Sequence, residues 1–299
     1  MRRWLGRVCW IASGPDSDPS VAFDWISGRV GSRQNPDGMR SLLHAGAVLA
    51  GVCALADLLV LATHGWVQGA LFAFLHLAWI AVLLIVTVLN VGFLESPSGV
   101  PLRGVGGPNV LTLARGFLIP TLVYVLLLRD FRAAAIGYAT VTLSDAIDGS
   151  WARLRDARSK LGIVLDPVVD LLLHLAVFVT LVRVGLLGTA GLVLILLRSG
   201  LLILGTGWLY WWKGCVRIQP TPFGKGTGVL FALSTILLLS LAGFRPQAIG
   251  WIRVLQGILN GLLVLSVLHV LAIGAINLSR PAVTRVAPEP PSRGPGDTT

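Results

Sequence analysis

The sequence predicts an all-α polytopic membrane protein, and three observations carry that prediction. The chain of 299 residues is 55% hydrophobic and only 13% charged, with a mean hydropathy of +0.79. A soluble domain averages about 25% charged residues. The apolar residues fall in eight long runs, at 42–63, 69–94, 111–128, 133–151, 163–184, 189–212, 227–242 and 248–275. About 20 apolar residues span a bilayer as a helix. Finally, the basic residues take sides. With the N-terminus in the cytoplasm and the spans alternating, only Arg129, Arg132, Arg183, Arg245 and Arg253 fall outside, and Arg198 lies within a span. Lys and Arg concentrate in cytoplasmic loops, so the protein is expected in the inner membrane with both termini on the cytoplasmic side. The net charge of +10 is then a topology signal, and no nucleic-acid partner is expected.

Residues 1–41 form a cytoplasmic segment in which "SGPDSDPS" and "NPDG" read as turns. Within it, "RRWLGRVCW" has the Arg and Trp content of an interfacial helix. Two spans follow over 42–95, joined by "HGWVQG". Asp57 lies inside the first of them, with His44, His76 or the rest of the bundle as candidate partners. The Pro/Gly-rich "ESPSGVPLRGVGGPN" links this pair to six further spans over 107–278. The tail, 279–299, is polar and Pro-rich and is expected to be disordered. Cys9, Cys53 and Cys215 have no paired spacing, which argues against a zinc site or a disulfide framework. The first apolar run starts late and lacks a cleavage pattern, which argues against a cleaved signal peptide. The sequence is compatible with a homodimer.

One stretch breaks the avoidance of charge. "LSDAIDGSWARLRDARSKLGIVLDPVVD", residues 143–170, holds five aspartates of a total of fourteen acidic residues. Asp145 and Asp148 are three apart at the end of the fourth span, and Asp166 and Asp170 four apart at the start of the fifth. Each spacing puts its pair on one helical face. A short link allows an antiparallel hairpin, so the four carboxylates converge at matched depths. Such a cluster at the edge of a low-dielectric medium needs protons or cations. An oxygen-only set suits Mg²⁺ or Mn²⁺, and two ions about 4 Å apart suit displacement at phosphorus. Gly149 and Gly162 permit close approach, and Arg153, Arg155, Arg158 and Lys160 add positive potential at the mouth. Asp156 reads as a solvated loop acid.

The stretch matches D-x2-D-G-x2-A-R-x8-G-x3-D-x3-D at every fixed position: Asp145, Asp148, Gly149, Ala152, Arg153, Gly162, Asp166 and Asp170. A chance match is on the order of one in 10¹⁰ per starting point when each residue type has a frequency near one in twenty. This signature resembles that of the CDP-alcohol phosphatidyltransferases. The resemblance extends over about 107–277, and it implies a six-helix core preceded here by two extra helices. "GPNVLTLARG" resembles the family's P-N-x-L-T-x-x-R opening of the first core helix, with Pro108, Asn109, Leu111, Thr112 and Arg115. "FGKGTG" resembles a G-K-x-x-T element, with Gly224 and Lys225 in place and Thr227 one residue early.

The resemblance implies transfer of a phosphatidyl group from CDP-diacylglycerol to an alcohol, with release of CMP, in phospholipid biosynthesis. It implies two divalent ions, with Asp145, Asp148 and Asp166 as metal ligands. Asp170 is implied as general base and second-metal contact, and the active site is then expected on the cytoplasmic side. Asn109, Thr112, Gly149, Ala152, Arg153 and Gly162 would border the CDP-lipid. Arg198 resembles an arginine of relatives that use phosphorylated acceptors, and a guanidinium suits a phosphate bidentately. Lys213 and Lys225 would lie on the same path. Leu171 and Thr206 stand where glycerophosphate-using relatives often have Lys and Arg. Glycerol 3-phosphate is the first choice of acceptor, with inositol phosphate, serine or another alcohol as alternatives. His174 continues the Asp166–Asp170 face one turn deeper. The rival class is a cation transporter, which explains the acids but not the fixed Gly, Ala and Arg. It also requires a polar path beyond His174, where the sequence reads "LAVFVTLV".

Overall fold

The structure, a computed structural model, describes residues 35–64, 66–96, 102–154, 159–213 and 222–279, without the side chains of 59, 61, 63, 64, 145–154, 206, 210, 211, 213 and 225. The expected interfacial helix "RRWLGRVCW", the tail and the link at 155–158 lie outside these residues.

The first helix, α1 (Pro36–His64), begins earlier than its apolar run. "NPDG" is a helix start rather than a turn: Gly38 N–H donates to Asn35 Oδ1 at 2.8 Å. Asn is a favoured N-cap, and Pro36 at the first helical position needs no N–H partner. Helix α2 (Trp66–Leu89) returns alongside, followed by a short 3₁₀ turn at Val91–Phe93. Its buried positions, Gly69, Phe72, His76, Ile80, Leu83 and Thr87, repeat at intervals of three and four, the pattern of one helical face.

Six further helical runs follow: α3 (Gly106–Leu127), α4 (Phe131–Leu154), α5 (Lys160–Arg183), the run from α6 (Thr189–Gly200) through a π turn (Leu201–Gly205) to α7 (Thr206–Lys213), α8 (Pro222–Phe244) and α9 (Ile249–Ser279). The sequence predicts one unbroken helix where the π turn interrupts the sixth span. Among the described residues, seven helical stretches are long and apolar enough to cross a membrane. The one that falls short of the eight apolar runs is α4. Its sequence carries Asp145, Asp148, Arg132, Arg153 and several Ser and Thr, and α3 and α8 pack against it.

Two apolar clusters hold the bundle. One joins α3, α4, α5, α6, α8 and α9 through Leu126, Tyr138, Phe178, Ile195, Leu238 and Leu259. The other joins α1 and α2 to α3 and α5 through Leu42, Ile80, Leu83, Phe117, Leu165 and Val169. Many apolar side chains point outward instead, among them Leu71, Phe74, Leu204 and Trp251, each more than half exposed. That inversion fits a lipid-facing surface. Because lipid is as apolar as the helix surfaces, association must come from close packing and interhelical hydrogen bonds. Gly116 shows the packing: a Cβ there would come within 3.1 Å of Leu83 Cδ1 and 3.5 Å of Val169 Cγ2. Helix α3 thus lies pressed between α2 and α5.

Candidate active site

The seam between α3 and α5 carries the described part of the site. At its outer end, Ser159 caps α5, its Oγ accepting the Gly162 N–H at 2.9 Å. Asn109 on α3 donates through Nδ2 to the same Oγ at 2.8 Å. Gly162 is required here, because a Cβ would strike Asn109 Oδ1. Asn109 and Gly162 therefore form a buried joint that fixes where α5 begins relative to α3. Lys160 also faces the linker, with Nζ 3.0 Å from Glu95 Oε2. Part of the positive potential expected at this mouth is thus met by an acid outside the motif.

One turn deeper, the Thr112 hydroxyl donates to Asp166 Oδ1. One further turn along each helix, Arg115 Nη1 donates to Asp170 Oδ1 at 3.0 Å. Arg115 Nη2 lies 3.6 Å from Asp166 Oδ1. The guanidinium is 3% exposed, whereas the side chains of Asp166 and Asp170 are 46% and 36% exposed. A buried cation thus grips two acids whose side chains are partly exposed. Sequence reasoning includes Arg115 in the helix-opening motif but gives it no role. The available signal is its spacing: an Arg three residues beyond Thr112 and inside a span needs an anion. Asp166 and Asp170 are anions at the same depth.

The partner acids, Asp145 and Asp148, belong to the last turns of α4. Their side chains, and those of Gly149, Ala152 and Arg153, lie outside the described residues. Among the described residues there is no cluster of three metal-ligating side chains. The donor set still suits a hard divalent ion, because Asp166 and Asp170 offer only oxygen and are accessible.

The next residue on the α5 face leads away from the acids. His174 Nδ1 donates to Asp170 O at 2.7 Å, and its ring lines a cavity of about 220 Å³ with Arg198, Gly224, Thr227, Ser266 and His269. Arg198 Nε donates to Ser266 Oγ at 2.7 Å. Among the described residues no acid pairs with Arg198, so the ion-pair role that would compete with ligand binding has no partner there. The π turn begins three residues after Arg198, and π turns inside α-helices often occur at functional sites. Lys213 ends α7 and Lys225 lies in the first turn of α8, but their side chains are not described. The structure thus brings Asn109, Thr112, Gly162, Asp166 and Asp170 together on one seam. It places Arg198 in an adjoining cavity reached along α5.

Comparisons with known proteins bear on the family of the chain. A protein of Mycobacterium tuberculosis named cardiolipin synthase is 38% identical over 140 residues, covering 44% of this chain and 64% of its own. The CDP-diacylglycerol--glycerol-3-phosphate 3-phosphatidyltransferase of Aquifex aeolicus is 25% identical over 153 residues, covering 51% and 84%. The cardiolipin synthase (CMP-forming) of Homo sapiens is 33% identical over 116 residues, covering 38% and 37%. The chain thus spans about two thirds or less of the mycobacterial and human relatives it matches. No solved structure matches it. The model of the CDP-alcohol phosphatidyltransferase family matches residues 106–272, the stretch from the start of α3 into α9, and the chain belongs to that family.

Proposed function

We propose that the protein transfers a phosphatidyl group from CDP-diacylglycerol to the hydroxyl of a phosphate-bearing glycerol and releases CMP. One observation carries this reading: the open acids Asp166 and Asp170 adjoin, through His174, a cavity that presents Arg198. Transfer to a phosphate-bearing alcohol is served by both, an acid row for the donor and a cationic socket for the acceptor.

Asp145, Asp148 and Asp166 would hold divalent metal, with Asp170 at its edge. The metal would supply charge neutralisation at the diphosphate and at the leaving CMP. Asp170, oriented by Arg115, takes the proton of the acceptor hydroxyl. That oxygen bonds to the phosphorus bearing diacylglycerol, and the bond from this phosphorus to the CMP oxygen breaks. Thr112 orients Asp166, and the Asn109–Ser159–Gly162 joint keeps α5 in register with α3. Arg198, held by Ser266, faces the acceptor's phosphate. The acid-bearing end of the bundle is the cytoplasmic one by the distribution of Lys and Arg.

Glycerol 3-phosphate is the first acceptor, in line with the Aquifex relative's name. A second acceptor, phosphatidylglycerol, is favoured by two observations. Two relatives are named cardiolipin synthase, and cardiolipin is a glycerol that carries two phosphatidyl groups. The cavity wall is also largely apolar, with Leu202, Phe231, Leu262, Val270 and Ile273. The transporter reading is disfavoured because Val177, Phe178 and Leu181, fully buried, close the α5 seam beyond His174.

The test is CMP release by purified protein with CDP-diacylglycerol, Mg²⁺ or Mn²⁺ and a panel of glycerol 3-phosphate, phosphatidylglycerol, inositol phosphate and serine. The lipid product is identified in each case. Release with either glycerol acceptor, abolished by EDTA, is the expected result. Turnover that survives thorough chelation removes the metal assignment, and preference for serine removes the phosphate-bearing acceptor.

A further inference from the structure

Helices α1 and α2 precede the stretch matched by the family model, yet they reach the helix that bears Arg115. His76 on α2 is fully buried and Asp57 on α1 is 4% exposed. His76 Nε2 lies 2.9 Å from Phe117 O. A carbonyl only accepts, so Nε2 carries hydrogen and donates. His76 Nδ1 lies 2.7 Å from Asp57 Oδ1, and one proton lies between these two atoms. The arrangement fixes the ring's orientation from both ends.

One turn further along α2, Trp79 Nε1 donates to Gly116 O at 2.8 Å. That carbonyl has a specific vacancy. Its partner in the helical ladder would be the N–H of residue 120, which is proline. A proline inside a helix removes this bond and pushes against the carbonyl four residues earlier, bending the helix. Two external donors from α2 therefore meet two consecutive carbonyls at the point where α3 is weakened. Arg115 immediately precedes them and reaches the other way, to Asp170 and Asp166.

We infer that His76, backed by Asp57 and assisted by Trp79, is a positioning residue that sets the bend of α3 and so places Arg115 against Asp170 and Asp166. The added helix pair is then a brace for the reacting end of the core. This inference rests on the transferase reading, since its consequence is read in the rate. A misplacement of about 1 Å in a catalytic group can cost on the order of 100-fold.

The test is a double-mutant cycle on the full chain in detergent or nanodiscs, with kcat and both KM values measured from CMP release per folded molecule. His76→Ala is expected to lower kcat by about tenfold or more, with donor and acceptor KM within about twofold. Arg115→Ala and the double variant His76→Ala/Arg115→Ala are expected to have the same kcat, because His76 acts through Arg115. Asp57→Asn is expected to retain kcat, since its amide N–H donates to His76 Nδ1 and keeps the ring in place. Should His76→Ala fail to fold, Trp79→Phe takes its place. It removes one donor to α3 while keeping an aromatic ring, and a loss of about threefold, absent in the Arg115→Ala background, is expected. Independent, multiplying losses in the double variant would overturn the inference. So would a lowered thermal midpoint with unchanged kcat. If the wild-type protein releases no CMP, the transferase reading fails, and the cycle is read from thermal midpoints. Non-additive shifts then support the brace and additive ones overturn it.

Discussion

Helix α3 is gripped from two sides by polar contacts that differ in one respect. Toward α5, buried Arg115 meets Asp170 and Asp166, whose side chains are 36% and 46% exposed. Toward α2, His76 meets Asp57 and Phe117 O with almost no exposure of either side chain. In the second contact both ring nitrogens are occupied and the ring is sealed. In the first the cation is sealed and the anions are open. A sealed polar contact in a membrane protein holds helices together. An open pair of carboxylates, partly compensated from behind, is the arrangement that leaves room for a charged ligand. Similar residue types are thus sealed on one face of α3 and exposed on the other, where the proposed chemistry would lie.

The difference can be broken by substitution, and the largest effect is expected at the open side. Asp170→Asn keeps shape and an acceptor oxygen but cannot take a proton. Loss of a general base costs about 10²- to 10⁴-fold in rate. CMP release should fall by that order, while the thermal midpoint changes less, because the amide oxygen still accepts from Arg115 and Asp166 still faces that guanidinium.

At the sealed side the expectation reverses. Asp57→Leu removes the partner of a buried pair and leaves His76 Nδ1 facing apolar surroundings. A buried acceptor left without its partner costs about 1–3 kcal/mol. Unfolding in detergent, followed by tryptophan fluorescence, should reveal a loss of that order, and Asp57→Asn should stay within about 1 kcal/mol of wild type. Equal destabilisation by both variants would show that the hydrogen bond to His76 is not what holds the hairpin.

A third substitution separates the acid row from the acceptor cavity. Arg198→Ala should raise acceptor KM by roughly 30-fold or more, the equivalent of a lost charged hydrogen bond of about 2 kcal/mol, with little change in donor KM. Arg198→Lys should rescue only partly, since an ammonium does not reproduce the guanidinium fork. Unchanged acceptor KM would remove Arg198 from the acceptor site.

The smallest effect provides a control. Arg129 follows α3 with a φ of 61°, in the left-handed region that disfavours side chains. Its N–H donates to Leu126 O at 2.9 Å, so the backbone bond survives substitution. Arg129→Gly touches α3 but neither grip. It should stabilise by at most about 1 kcal/mol and leave kcat unchanged, as measured by thermal unfolding and CMP release.

Much of this was legible in the sequence, and the exceptions have physical causes. The helices followed from hydropathy, and the Asp166–Asp170 face from a spacing of four. The limit at α4 arose because a run that also holds Asp and Arg is not apolar enough over a bilayer's thickness, although α3 and α8 pack against it. Of the two histidines offered to Asp57, His44 lies thirteen residues away on the same helix, about 20 Å along its axis. Helix arithmetic would have excluded it, although the sequence reading kept it as a candidate. His76 required the crossing of α1 and α2, which a sequence does not state. Arg115 was visible as a motif residue, but its hold on Asp170 depends on the rotation of α3 against α5. The Trp79–Gly116 bond shows what could have been anticipated: Pro120 announces an orphaned carbonyl four residues earlier, though not which donor fills it. The π turn after Arg198 has no comparable signal beyond its flanking glycines.

The central claim is that the open side of α3 reacts and the sealed side supports. It is tested most directly by CMP release from CDP-diacylglycerol in matched preparations of the wild type, Asp170→Asn and Asp57→Asn. The expected result is release by the wild type, a loss of about 100-fold or more in Asp170→Asn, and a rate for Asp57→Asn within about twofold of wild type, since the hydrogen bond it keeps is worth about 1 kcal/mol. Undiminished release by Asp170→Asn, or an equal loss in both variants, would contradict the account.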